Sequence, residues 1–214
     1  MTKYNSEKHH RRSIRLKGYD YTQPGAYFVT ICTHDRECLF GEVIDGDMVL
    51  NDYGQIVHDE WLKSPQIRKE IDMDVFVVMP NHVHGIVWIV PIYISHAQNV
   101  GVYGLKPLRD GKESPTVGAC GLTPLPGLTP KSLGACINGF KVSVTKQINQ
   151  LRNMPCISVW QRNYYEHVIR HDETLHAVRQ YIEQNPMRWH LDRYNEHTTE
   201  RDPQVKILWN LLTK

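Results

Sequence analysis

The sequence predicts an α+β fold, a ferredoxin-like antiparallel sheet with helices packed on one face. Three observations predict it. Runs rich in β-branched and aromatic residues recur at 27–33, 71–79 and 82–90. Two longer stretches, near 54–67 and 131–151, space their apolar residues at helical intervals. The order is strand, hairpin, helix, strand, strand, insertion, helix, strand, helix. That order suits an antiparallel sheet carrying two helices on one face, with the last helix added.

Each element has a local reason. Tyr27-Phe28-Val29-Thr30-Ile31-Cys32-Thr33 reads as the first strand. Phe40 to Ile44 and Met48 to Leu50 flank Asp45-Gly46-Asp47, a hairpin turn. Asn51 or Asp52 suits a helix cap, and Ile56, Val57, Trp61 and Leu62 then follow at helical spacing. Ile71 to Met79 is a strand, Pro80-Asn81 a turn, and His82 to Val90 the next strand. Apart from the histidines, both faces of that strand are apolar, as in a central strand. Leu133, Cys136, Ile137, Phe140, Val144, Ile148 and Leu151 stripe a helix from about 131 to 151. Ile157 to Trp160 begins a strand that Tyr164 to Ile169 continues or neighbours. Asp172 caps a helix ending near Asn185-Pro186, and Val205 to Leu212 forms a short final helix or strand.

The chain divides into a basic N-terminal arm (1–20), one domain (21–190) and a C-terminal extension (191–214). Inside the domain, about 91–130 is an insertion holding six of the twelve prolines and six of the fourteen glycines. Charged residues at 22% and a net charge of +2 describe a globular protein rather than a polycation. No apolar run approaches the ~20 residues that span a bilayer. Five cysteines without C-x-x-C spacing argue against a disulfide framework or a zinc–thiolate site, and a reducing cytoplasm is the expected setting. Charge is uneven: Lys3, Lys8, Arg11, Arg12, Arg15 and Lys17 face Glu7 alone within 1–17, six minus one giving +5. Such an arm is either a phosphate-contacting segment or a solvated tail.

Two constellations carry chemistry. His82 and His84 flank Val83 in a strand, so both rings leave the same face, roughly 7 Å apart at about 3.3 Å per residue. Two imidazoles at that spacing fit one metal ion if a third ligand arrives; two hydrogen-bonded core histidines would look the same. Tyr181 and Asn185 are i and i+4 on a helix and share a face. The amide offers a hard ligand, and a phenolate is a competent nucleophile toward a phosphate ester. A packed tyrosine and a helix-ending asparagine before Pro186 is the plainer reading. Tyr164 and Tyr165 lie in a strand-like run without an amide one helical turn on.

Taken together, these residues resemble a known family, the single-tyrosine HUH transposases, and most of all their REP-associated tyrosine transposase branch. HUH stands for His, a hydrophobic residue, His: here His82-Val83-His84. The resemblance runs through Arg12–Tyr21, Gly25–Thr30, Met79–Val87, Phe140–Lys146, Trp160–Arg170 and Tyr181–Pro186, and spares only the Pro/Gly-rich segment. It implies that His82, His84 and Asn185 ligate Mg2+ or Mn2+. It implies that Tyr181 attacks a scissile phosphate of single-stranded DNA, leaving a 5′-phosphotyrosine link and a free 3′-OH. The implied partner is single-stranded DNA with a palindromic, REP-like stem-loop. No nucleotide cofactor and no membrane enter this picture. A monomer with its tyrosine helix in cis is expected, a homodimer being the alternative. Arg11, Arg12, Arg15 and Lys17, then Lys141 and Lys146, are the expected phosphate contacts. Two other functions fit the same residues: a rolling-circle-type HUH nickase, and a catalytically silent hairpin-binding protein derived from such a transposase.

Overall fold

The computed structural model describes residues 16, 18–91, 129–200 and 202–212. The expected arm contacts Arg11, Arg12, Arg15 and Lys17, and most of the expected insertion, lie outside the described residues.

Strand β1 (Gly25–Cys32) leads into the hairpin of β2 (Gly41–Ile44) and β3 (Asp47–Leu50) and then helix α1 (Asp52–Ile67). β4 (Ile71–Met79) turns at Pro80-Asn81 into β5 (His82–Ile89). Helix α2 (Leu133–Leu151), β6 (Tyr165–Ile169), α3 (Asp172–Gln184) and α4 (Pro203–Leu212) complete the fold. The main sheet runs β4-β5-β1-β6, and every pair in it is antiparallel. Each helical crossover thus skips one strand, the β-α-β-β-α-β plan of the ferredoxin-like fold. The hairpin forms a separate two-stranded sheet. Among the described residues, no helix is long and apolar enough to cross a membrane.

Alternation along the central strands makes two cores. Tyr27, Val29, Ile31, Val83 and Val87 face α1 and α2, where Val57, Trp61, Ile137, Phe140, Val144 and Ile148 meet them. Each such side chain, fully buried, contributes roughly 1.5–3 kcal/mol. Gly85 serves this layer, because a Cβ there would lie 2.4 Å from the Trp61 ring. The opposite face presents Ala26, Phe28 and Ile86 to Val178, Ile182, Leu208 and Leu212. The expectation of helices on one face therefore describes α1 and α2 only. α3 and α4 cover the other face, because Ala26, Phe28 and Ile86 on it are apolar too and need burial.

Three local expectations change. Asn51 caps α1, its side chain accepting from Gly54 N at 2.9 Å, but the cap position of α3 is His171, without a side-chain bond. Asp172 and Glu173 instead sit in that helix's first turn, where carboxylates suit the positive end of the helix dipole. Ile157–Trp160 is not a strand; only Trp160 bridges, to Thr33. The Ile157 carbonyl is taken by Asn149 Nδ2 and Arg152 Nη2 at the end of α2, so it has no ladder to join. The final segment is a helix. Cys32, Cys38 and Cys136 are free thiols, and Cys156 is disulfide-bonded, a bridge the irregular spacing does not announce.

Helix α3 is tied to the sheet by one ionic contact. The register of β4 against β5 shifts between Met73 and Phe76, and a bulge of this kind re-aims side chains. Asp74, inside it, accepts from Arg179 Nε at 3.0 Å and Nη2 at 2.6 Å, and from Trp88 Nε1 at 3.0 Å. Those bonds, Arg179's first, hold the Asp74 carboxyl down to about 2 from its ordinary 3.8. The depressed value makes the contribution complete above the unfolded pKa and removes it as pH falls through the folded one. We expect Asp74→Asn to cost about 1–2 kcal/mol at neutral pH, a modest figure because Arg179 is partly exposed. In paired denaturation curves the gap between wild type and variant should close between about pH 4 and pH 2; a gap that stays constant would refute this account of the tie.

Candidate functional site

The site lies where β5 enters the sheet beneath the end of α3. Strand period two aims His82 and His84 at the α3 face, and their ring centroids are 4.4 Å apart. Opposite them in register stand Cys32 and Thr30 of β1 and Met79 and Val77 of β4. The rings are nearly solvent-free, His82 at 0% and His84 at 2% exposure. Burial holds the His82 pKa down to about 4 against the pull of the Asp192 carboxylate. Burial, then the neighbouring His82, holds His84 well below its ordinary value. Both rings are thus neutral, the form that donates a lone pair to a metal.

Hydrogen bonds fix which nitrogen carries that lone pair. Asn81 Nδ2 donates to the carbonyls of Arg36 (3.0 Å) and Tyr194 (2.8 Å). The amide is thereby oriented with Oδ1 toward His82 Nδ1, 2.9 Å away. Because that oxygen only accepts, Nδ1 carries the proton and Nε2 is bare. In His84, Nδ1 lies 2.8 Å from Thr30 Oγ1 and Nε2 lies 3.3 Å from Tyr181 Oη. With Nδ1–H donating to Thr30, Nε2 accepts from the Tyr181 hydroxyl.

The end of α3 brings the oxygen donors. Tyr181 and Asn185 sit one turn apart, and Pro186 opens a short 3-10 helix (Pro186–Leu191) that turns the chain back. Asp192 follows, its Oδ1 accepting from Tyr194 N at 2.7 Å and its Oδ2 from Asn185 Nδ2 at 3.2 Å. Asp192 Oδ2 lies 3.9 Å from His82 Nε2. Among the described residues, His82 Nε2 and Asn185 Oδ1 are buried without a hydrogen-bond partner, although Asn185 is near enough to perturb the His82 titration. The candidate ligand atoms of His82, His84 and Asp192 all fall within 4.8 Å of one another. Unprotonated acceptors facing each other out of water are costly alone, and a divalent cation among them removes the cost. Two imidazoles, an amide oxygen and a carboxylate suit Mn2+, and Mg2+ where water completes the shell.

Asp192 is the residue sequence reasoning missed. It stands seven positions beyond Asn185, across a turn whose geometry no periodicity predicts. Tyr181, nominated as nucleophile, has its phenol pKa raised by burial, then by Asp192 and Tyr194, while Arg193 opposes the rise. Its hydroxyl opens onto a cavity that Phe28, Thr30, His84, Tyr165, Arg193 and Tyr194 help to line. Tyr165, which lacks an amide one turn on, therefore lies at this cavity too, whereas the nominated Lys141 is elsewhere. Lys141 Nζ donates to the carbonyls of Gln161 (2.5 Å) and Asn163 (3.3 Å), and burial lowers its pKa to about 8. That amine clamps the loop before β6. Lys146 is exposed on α2.

No family model matches the chain. Over 192 residues it is 39% identical to an uncharacterized protein of Haemophilus influenzae (strain ATCC 51907 / DSM 11121 / KW20 / Rd), covering 90% of this chain and 97% of that one. Among solved structures it is similar to a REP-associated tyrosine transposase bound to a REP hairpin, with 17% identity and a TM-score of 0.46 over 83% of this chain and 74% of that one.

A cation that binds only the folded site adds ~2.7 kcal/mol at a hundredfold excess over its dissociation constant. Mn2+ should therefore raise the melting temperature by about 5–10 °C, reversibly on chelation. His84→Ala should lose the rise, and Asp192→Asn should need roughly tenfold more ion for it, ~1.4 kcal/mol of site affinity. Equal Mn2+ shifts in wild type and His84→Ala would rule out this metal site.

Proposed function

The chain belongs to the family of that Haemophilus influenzae protein, and we propose that it cleaves and rejoins single-stranded DNA at palindromic, REP-like hairpins through a 5′-phosphotyrosine link. The observation that carries the reading is the 3.3 Å approach of Tyr181 Oη to His84 Nε2 beside the unpartnered His82 Nε2 and Asn185 Oδ1. Tyr181 and His84 line one cavity, and His82 and Asp192 adjoin His84 behind it, which supports a nucleophile set beside hard-ion ligands, as phosphoryl transfer needs. The motif blocks from Arg12 to Pro186 that resemble the REP-associated transposases support the same assignment.

His82, His84 and Asn185, with Asp192, would hold Mg2+ or Mn2+. That ion supplies Lewis-acid polarisation of a non-bridging phosphate oxygen. The protein's own groups do the rest. Asn81 keeps the His82 lone pair outward by holding the proton at Nδ1. Asn185 would present Oδ1 to the ion while Asp192 fixes its amide nitrogen. The Tyr181 hydroxyl occupies the His84 Nε2 lone pair, the same lone pair that His84 would offer to the ion. In the reaction the Tyr181 Oη–P bond forms and the P–O3′ bond breaks. The phenol gives up its proton and the departing 3′ oxygen takes one, with no net change. A strand's 3′-OH reverses the step and rejoins the DNA.

The nucleophile and both histidines come from one chain, which supports a monomer acting in cis. The N-terminal Arg11, Arg12, Arg15 and Lys17, with Lys146, are the phosphate-contact residues of this reading; Lys141, engaged with two carbonyls, holds the loop before β6 instead.

Tyr181→Phe should abolish the covalent adduct on labelled hairpin DNA in Mn2+ while leaving the binding constant within about threefold, under 1 kcal/mol. Mixing Tyr181→Phe with His84→Ala protein should restore no adduct, since neither chain holds a complete site. Adduct from Tyr181→Phe would dismiss the nucleophile. Adduct from the mixture would mean that sites form between chains. Wild-type hairpin binding without an adduct in any divalent ion would instead identify a DNA-binding module.

A further inference from the structure

Two of the arginines near this face are used up by carboxylates. Arg179 pairs with Asp74, and Arg188 with Asp202 at 3.1 Å. Arg193 differs. It lines the cavity with His84 and Tyr181, yet its one hydrogen bond among the described residues goes from Nη2 to Tyr194 Oη, at 2.6 Å. The guanidinium carbon stands 4.7 Å from the centre of the Tyr194 ring and 5.8 Å from that of Trp209. Aromatic faces hold a guanidinium without neutralising it. The mount is rigid: Tyr194 is buried, its amide donates to Asp192, and its carbonyl accepts from Asn81. So a full positive charge with most of its five donors unused is fixed in the lining of the cavity that Tyr181 also lines.

We propose that Arg193 is a catalytic residue of the Tyr181 reaction, its guanidinium binding a non-bridging oxygen of the phosphate that Tyr181 attacks. The inference rests on the reading of the site as a phosphoryl-transfer centre. As the Oη–P bond forms and the P–O3′ bond breaks, negative charge spreads over the non-bridging oxygens. A planar guanidinium meets two such acceptors in parallel and stays protonated throughout, so it stabilises that charge without exchanging a proton. Its charge also acts on the phenol, opposing the rise that burial imposes on Tyr181. Arg179 and Arg188 are committed, Lys141 is turned to carbonyls, and Arg36, over the Tyr194 ring at 5.5 Å, does not line the cavity as Arg193 does.

The test compares wild type, Arg193→Lys, Arg193→Ala and Tyr194→Phe on a labelled hairpin with a single-stranded flank, in Mn2+ under single turnover. Arg193→Ala should slow adduct formation about 10²–10³-fold, the usual effect of deleting one charge-stabilising donor. The loss should fall on the maximal rate rather than on the half-saturating protein concentration. Arg193→Lys should recover part of the rate, and millimolar guanidinium should restore part of it to Arg193→Ala alone. Hairpin binding in chelator and the Mn2+-induced melting shift should match wild type in both Arg193 variants. Tyr194→Phe, which keeps the ring and removes the hydroxyl, should slow the reaction less than Arg193→Ala. A wild-type adduct rate from Arg193→Ala overturns the proposal. So does a loss that guanidinium leaves untouched and that comes with a lost Mn2+ shift, which would make Arg193 a structural prop. Wild type forming no adduct overturns the underlying site reading itself, and the wild-type lane separates that result from failure of Arg193 alone.

Discussion

Beneath the end of α3, His82 Nε2, Asn185 Oδ1 and Asp192 Oδ2 point toward common ground, and none of the three atoms carries a hydrogen. Folding brings them together at 0%, 2% and 5% residue exposure, where water cannot relieve them. The arrangement is affordable only because each residue has a second bond elsewhere. His82 is held by Asn81, Asn185 by Asp192, and Asp192 by the Tyr194 backbone. Remove any of these and a buried acceptor is free to rotate away. The site thus depends on its second layer as much as on the atoms that face inward.

That second layer reaches into the fold at two places. Asn81 sits in the two-residue turn between β4 and β5, and its amide bonds the loop after β1 and the segment after α3. Its own carbonyl accepts from Thr33 N and Oγ1. One buried amide therefore registers three segments that are far apart in the chain. The second place is the Asp74–Arg179 pair. Arg179 lies two residues before Tyr181, so the bulge in β4 sets where α3 rests and how deeply Tyr181 enters. The Phe28 ring, 6.2 Å from Tyr181 and 5.5 Å from His84, fills the floor between them.

Local periodicity made part of this legible. Spacing of two put His82 and His84 on one strand face; spacing of four put Tyr181 and Asn185 on one helix face; both depend only on backbone geometry. The sheet plan was legible as well, since strand and helix periods alternate in the order that the ferredoxin-like topology requires. Other features depend on contacts across the chain, and no window of sequence holds them. Asp192 enters through a 3-10 turn. Lys141 looks like a free cation on a helical wheel, but its amine is met by a loop twenty residues later. Ile157–Trp160 has strand composition, yet α2's terminal side chains take its carbonyl first. The second helical layer was half legible: Phe28 and Ile86 are apolar, but strand pattern alone cannot name the helix that covers them.

The relation between Tyr181 and His84 joins structure to chemistry. His84 Nε2 is a single lone pair with two claimants, the phenol hydroxyl and a divalent ion. Burial favours the phenol over the phenolate, and the hydrogen bond to a neutral imidazole keeps the proton where it is. The Tyr181 hydroxyl is thus held by the atom that a bound ion would take. In the proposed reaction, ion binding and freeing of the Tyr181 hydroxyl would both turn on that one nitrogen. The surrounding contacts support that economy: Thr30 meets His84 Nδ1 from β1, Asp74 fixes the helix through Arg179, and Tyr194 holds a cation in the cavity lining. Each is a residue whose packing role and chemical role are the same contact.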